Sequence, residues 1–208
     1  FQGRYVDPGV LARQACEIEI DILGRPIGKQ DQYIAAFGGF QMIHFNPDET
    51  VSVEPIVCPV TTRRRLSSHL LLFYTGVARA SGSVLTEAKE RMRNPGTARA
   101  ALDGLNDLAA HIAREVSRGR LSGFGTLLHK GWLLKKHMAS NVSNGQIDRY
   151  YQLALRAGAR GGKISGAGGG GCLLLFAPPK SHAAIREMAA RHRLRRRSDE
   201  AGFHVRRG

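Results

Sequence analysis

The stretch GARGGKISGAGGGGCLLLF, residues 158–176, decides how this chain is read. Its first fourteen residues hold eight of the chain's 25 glycines, and Gly166-Ala167-Gly168-Gly169-Gly170-Gly171 runs directly into Cys172–Phe176, the pattern of a buried strand. Glycine is required where the backbone takes positive φ or approaches another group closely, and successive backbone N–H groups in such a run can form an anion-binding concavity. A bare hairpin turn needs only two such residues, whereas a longer small-residue run costs backbone entropy, so the pattern points to a functional loop. No Gly-Lys-Ser/Thr follows the glycines, which excludes a Walker-type phosphate loop. A strand rather than a helix comes next, which excludes a dinucleotide-binding turn.

A second informative stretch is Gly28-Lys29-Gln30-Asp31-Gln32-Tyr33, closing with Phe37-Gly38-Gly39-Phe40. Asp31 sits at the expected start of a helix, where the helix N-terminus and Lys29 stabilise a carboxylate. Such a group can accept a hydroxyl proton during phosphoryl transfer, or it can serve only the helix dipole.

Around these two stretches the chain mixes helices and strands without strict alternation, which makes the class α+β. A helix is expected over Pro8–Leu23, with Asp7 as its cap, and a shorter one over Lys29–Phe37. Strands are expected at Phe40–Phe45, Val51–Val57 and Leu70–Tyr74, the first two joined by a turn at Asn46–Glu49. Helices are expected over Val84–Arg93, over the stripe Leu102, Leu105, Leu108, Ile112 and Val116, after a Ser122 cap, over Ile147–Ala157 and over Ser181–Arg193. A last strand is expected around Phe203–Val205.

Composition narrows the function. The 208 residues are 42% hydrophobic and 23% charged, which is globular rather than disordered. No apolar run approaches the roughly 20 residues of a membrane span, no signal peptide is recognisable, and Cys16, Cys58 and Cys172 are too far apart for a zinc or disulfide framework. A cytoplasmic setting is the expectation. The net charge of +14 raises nucleic acid as a partner. The most basic run, HRLRRRSDE at 192–200, has no interleaved aromatic platform, and the arginines are spread along the chain, which fits an enzyme for anionic substrates equally well.

Together GKQDQYIAAFGGF and GGKISGAGGGGCLLLF resemble the GHMP kinases, the family of galactokinase, homoserine kinase, mevalonate kinase and phosphomevalonate kinase. The likeness is strongest to the D-glycero-D-manno-heptose 7-phosphate kinase group of lipopolysaccharide and capsule biosynthesis, carried also by IEIDILGRPIGKQDQY, LLLFYTGVAR and LLHKGWLLKKHMASNVSN. The resemblance implies a two-domain α+β architecture. Residues 1–65 would be the end of the N-terminal domain and residues 66–208 a ferredoxin-like C-terminal domain.

The resemblance further implies an enzyme that uses ATP and Mg²⁺ to phosphorylate the anomeric hydroxyl of a sugar phosphate. Asp31 would be the catalytic carboxylate, tuned by Lys29, while Gly166, Ala167, Gly168, Gly169, Gly170 and Gly171 would line the nucleotide phosphates. Thr75, Gly76, Arg79 and Lys163 would face the substrate. Trp132 is expected in the core, and His129 is expected as a partly exposed helix residue.

The family's phosphate loop and first motif do not occur in this sequence. The chain therefore corresponds to about two thirds of a complete kinase and is expected to be inactive alone. An exposed apolar patch near residues 10–45 and oligomerisation, a homodimer being the simplest form, would follow from the missing packing partners. Cys172 stands where the group usually has an aromatic and should be tolerated as a small hydrophobe. The rival readings are a basic nucleic-acid-binding module and an inactive sugar-phosphate-binding relative.

Overall fold

The computed structural model describes residues 5–77, 81–93 and 96–196, and it divides into two compact units, before and after the Val57–Cys58 bond. In the first unit, Asp7 caps α1 (Pro8–Cys16) by accepting from the N–H groups of Gly9 and Val10 at 2.8 and 3.1 Å. The expected single helix to Leu23 does not stay α-helical: Glu17–Ile22 widens into a π-helical segment, with the Leu23 N–H donating to the Ile18 carbonyl at 3.0 Å. Helix α2 (Gln30–Phe37) follows, then the antiparallel hairpin β1 (Gln41–Phe45) and β2 (Val51–Pro55). Tyr33 joins these elements. It is 5% exposed, packs with Ala12 and Cys16, stacks on Phe37 and meets Phe45 edge-on, both ring pairs at 6.4 Å. Leu11, Ile18, Ile22, Leu23 and Phe45 expose their side chains, so apolar surface does lie within the expected span.

The second unit begins with a helix that sequence patterning misses, α3 (Val60–His69), of which only Thr62 is buried. A four-stranded antiparallel sheet in the order β4-β5-β3-β6 then anchors the unit. Its strands are β3 (Leu70–Tyr74), β4 (Gly161–Ile164), β5 (Cys172–Phe176) and the short β6 (Arg195–Arg196). Register pairs Phe73 with Leu173 and Leu173 with Ile164, so these three share one face with Leu71 and Leu175. That face is the core side, buried with Val84, Trp132, Ile147, Tyr151, Ala154 and Ile185.

Those core residues come from α4 (Ser81–Met92), α6 (Phe124–Lys136), α7 (Gly145–Arg156) and α8 (His182–Arg191), while α5 (Thr97–Ser117) pairs with α6. Gly123, not Ser122, holds the α6 cap position and makes no side-chain cap bond, whereas Asn144 caps α7 through a 2.9 Å bond from the Ile147 N–H. The start expected for α8 at Ser181 belongs to a separate 3₁₀ turn, Pro179–Ser181. The strand expected at Phe203–Val205 lies outside the described residues.

Strand β4 contains Gly161-Gly162, which has little intrinsic strand preference. A Cβ on Gly161 would stand 1.9 Å from the Gly125 carbonyl oxygen of α6, and one on Gly162 would stand 2.4 Å from the Leu174 carbonyl oxygen. Gly161 lets α6 press directly onto the sheet edge, while Gly162 keeps the backbone close to β5, and this places the last turn of α6 beside the loop that follows β4.

Candidate active site

Residues 166–171 form the loop of the β4–β5 hairpin, which the Ser165 N–H bond to the Cys172 carbonyl at 2.8 Å extends by one pair. The loop is clamped on two sides. Gly169 N–H donates to the Val142 carbonyl at 2.7 Å, and Gly171 N–H donates to the Val77 carbonyl at 2.9 Å. The Gly171 carbonyl in turn accepts from both the N–H and the hydroxyl of Thr75, at 2.9 and 2.8 Å. A Cβ on Gly168 would meet the Val142 carbonyl oxygen at 2.8 Å, and one on Gly170 would meet the Val77 carbonyl oxygen at 2.4 Å. Close approach is thus what these positions require.

The clamp engages two of the loop's donors. Among the described residues the N–H groups of Gly166, Ala167, Gly168 and Gly170 have no such partner, and all but the buried Gly170 lie at least partly exposed, where such donors can meet an anion.

The clamp itself is braced from α4. Glu87 accepts from the N–H and the hydroxyl of Ser140 at 2.8 and 2.9 Å, and Arg91 lies 3.0 Å from the same carboxylate. On the α7 side, the Tyr151 hydroxyl sits 2.7 Å from His129 Nδ1 with the two rings stacked. Burial pushes the phenol up to about 12. His129 is part-buried as expected, but it is tied to the core rather than to solvent, and Trp132 is buried at 1% exposure.

The residues expected to face a substrate divide. Thr75 is 3% exposed and its hydroxyl proton is committed to Gly171, so it positions the turn. Gly76 is exposed in the same turn. Arg79 lies outside the described residues. Lys163 stands on β4 opposite Leu174, half-buried, and burial holds its ammonium below the usual lysine range.

Sequence patterning misses Lys135. Its ammonium donates to the Gly166 carbonyl at the entrance of the loop, and burial, with Lys163 nearby, brings it down to about 8. The available signal was its spacing of three residues from the buried Trp132, which puts it on the inward side of α6.

In the first unit Asp31 lies in the first turn of α2, exposed, where the helix N-terminus favours a carboxylate. Lys29 is turned to the β1–β2 turn, 3.8 Å from Glu49, rather than forming an ion pair with Asp31. Gln32 is buried and donates to Glu19 at 2.5 Å, which ties the helix start to the π-helical segment.

Comparison with known proteins locates the fold. Residues 112–193 match the family described as GHMP kinases C terminal. Over those residues the chain is similar to the C-terminal domain of the GHMP kinases.

The D-glycero-alpha-D-manno-heptose 7-phosphate kinase of Campylobacter jejuni is 31% identical to it over 169 residues, which is 81% of this chain and 50% of that protein. The crystal structure of a D-glycero-D-manno-heptose 1-phosphate kinase from Bacteriodes thetaiotaomicron superposes with a TM-score of 0.69 at 25% identity, covering 93% of this chain and 52% of that one. Streptococcus pneumoniae phosphomevalonate kinase shares the fold, with a TM-score of 0.75 at 13% identity over 93% of this chain and 61% of its own. The chain thus spans about half the length of the heptose kinase it matches.

Proposed function

We propose that this chain contributes to an ATP-dependent sugar-phosphate kinase that phosphorylates the anomeric hydroxyl of a heptose 7-phosphate-like substrate. The observation that carries the reading is the clamped glycine hairpin, held by Val77, Thr75 and Val142 and keeping N–H donors without a backbone partner at Gly166, Ala167 and Gly168. Preorganised donors stabilise phosphoryl charge without reorganisation, and phosphoryl transfer depends chiefly on such positioning. The likeness to a heptose 7-phosphate kinase over 81% of the chain supports the substrate class.

In this reading Asp31 orients the sugar hydroxyl and takes its proton, with Lys29 contributing positive potential nearby. The glycine run, including Gly168, Gly169 and Gly171 as its structural members, brings backbone donors to the phosphates of ATP. Arg79 and Lys163 hold the substrate, and Thr75 and Gly76 shape the turn beside it. ATP fits the donors of the hairpin and would supply the transferred phosphoryl group. Mg²⁺ does not find a complete set of ligands here, since no cluster of three or more His, Cys, Asp or Glu side chains gathers among the described residues. No step is therefore assigned to that ion.

No helix among the described residues is long and apolar enough to cross a membrane, and the reading places the reaction in the cytoplasm, where ATP and sugar phosphates are available. The three exposed arginines of α3, Arg63 to Arg65, lack an aromatic platform, and none of the matched relatives supports a nucleic-acid-binding role.

A coupled ADP-release assay tests the reading, run on the 208-residue chain and on the same chain with any sequence that precedes it in its reading frame. Asp31→Asn should lower kcat by about 100-fold or more in whichever form turns over sugar phosphate. Unchanged turnover in that variant would refute the assignment of Asp31.

A further inference from the structure

Lys135 and Lys163 are not explained by the fold. Lys135 leaves the last turn of α6, and its ammonium bonds the Gly166 carbonyl, while Lys163 stands three residues before Gly166 on the edge strand β4. Both are half-buried, and the two ammonium groups are close enough to repel one another. Among the described residues neither has a carboxylate partner. The nearby acid, Asp148 of α7, is engaged by Lys136 at 3.3 Å and by the Ser143 hydroxyl at 2.9 Å.

Two desolvated like charges destabilise a fold unless something of opposite sign joins them. Such an arrangement is characteristic of functional sites. The free N–H groups of Gly166 and Ala167 adjoin the pair and add uncharged donors.

We propose that Lys135 and Lys163 together bind a phosphate dianion at the entrance of the glycine hairpin. A phosphomonoester carries about two negative charges near neutral pH, matching two ammonium groups, and lysine is a common point-charge partner for phosphate. The proposal rests on the kinase reading for its biological ligand, which is either the phosphate of the sugar or a phosphate of the nucleotide.

The test is NMR on the full chain with its lysines carrying ¹³C-methyl groups, titrated with inorganic phosphate, a hexose 6-phosphate and ADP in turn. Inorganic phosphate should bind saturably and move the Lys135 titration upward from about 8. Lys135→Gln and Lys163→Gln should each weaken phosphate about tenfold or more. Glutamine at 135 retains a donor for the Gly166 carbonyl, so the loop keeps its support. Lys136→Gln should leave phosphate affinity unchanged.

Tighter binding of the hexose phosphate than of ADP supports a sugar-phosphate subsite, and the reverse supports a nucleotide subsite. Absence of any phosphate-dependent shift at Lys135, or equal loss in the Lys136 variant, overturns the proposal. Phosphate binding by this chain, with no phosphoryl transfer even by the form extended through whatever precedes it in its reading frame, would remove the kinase reading and leave this site standing. Transfer without phosphate binding at these lysines would do the opposite.

Discussion

Gly170→Ala should destabilise the second unit far more than Gly166→Ala, although both lie in one loop. A Cβ at 170 would stand 2.4 Å from the Val77 carbonyl oxygen and 3.1 Å from its carbon, both backbone atoms that cannot rotate away. To make room, the 75–77 turn must retreat, and three bonds lengthen together: Gly171 to Val77, and the two from Thr75 to Gly171. Overpacking of this kind costs about 1–3 kcal/mol and weakened hydrogen bonds add a few tenths each, so a loss of about 3 kcal/mol is expected. At 166 nothing lies within 4 Å of the added carbon, and only the φ of +74° is unfavourable, costing about 1 kcal/mol.

The single tryptophan, Trp132, is buried in the core of the same unit and reports its unfolding by fluorescence. With a urea dependence of about 2 kcal/mol per molar, the midpoint should fall by about 1.5 M for Gly170→Ala and about 0.5 M for Gly166→Ala. Equal small shifts would show that the hairpin is not clamped against Val77, and the preorganisation of its donors would be refuted with it.

Tyr151→Phe should cost about 1–2 kcal/mol in the same unfolding assay, because it leaves His129 Nδ1 without its hydroxyl partner while keeping the stacked ring. Lys135→Met should raise the melting temperature at pH 7 by about 2–4 °C. The folded lysine titrates near 8 and the unfolded one near its ordinary 10.5, so the cost of burying the charge is fully present below pH 8 and is relieved as pH rises through 8 to 10.5. The advantage of the methionine variant should therefore vanish above about pH 10.5, and a pH-independent gain would exclude the buried charge as its cause.

Strands β3 and β5 are legible because Leu70–Tyr74 and Cys172–Phe176 are short unbroken apolar runs. The hairpin β1–β2 is legible from its turn residues, and α5 from its stripe. Strand β4 is not, since Gly161 serves the approach of α6 and Gly162 the close approach of β5, tertiary needs that leave no local preference. Helix α3 buries only Thr62 and shows no periodic face. In the site, the strings around Asp31 and the glycine run are readable as motifs.

Their partners are less so. Lys29 is drawn to Glu49 across the hairpin rather than to its chain neighbour Asp31, and Thr75 commits its hydroxyl to a residue 96 positions away. Lys135 is hidden because Lys135-Lys136 at a helix C-terminus looks like ordinary complementation of the helix dipole. Its three-residue spacing from Trp132 marks the inward side of α6, and the packing shows Lys135 taking it.

Phosphoryl transfer to the anomeric oxygen of a sugar phosphate is the central claim, and phosphorus NMR of the reaction mixture tests it most directly. ATP and heptose 7-phosphate would be incubated with the chain carrying whatever precedes it in its reading frame, alongside the Asp31→Asn variant as control. The expected result is a new phosphate resonance coupled to the anomeric proton, growing as ADP appears and absent with the variant. ADP release without that coupled resonance, or the resonance persisting in the variant, would contradict the claim.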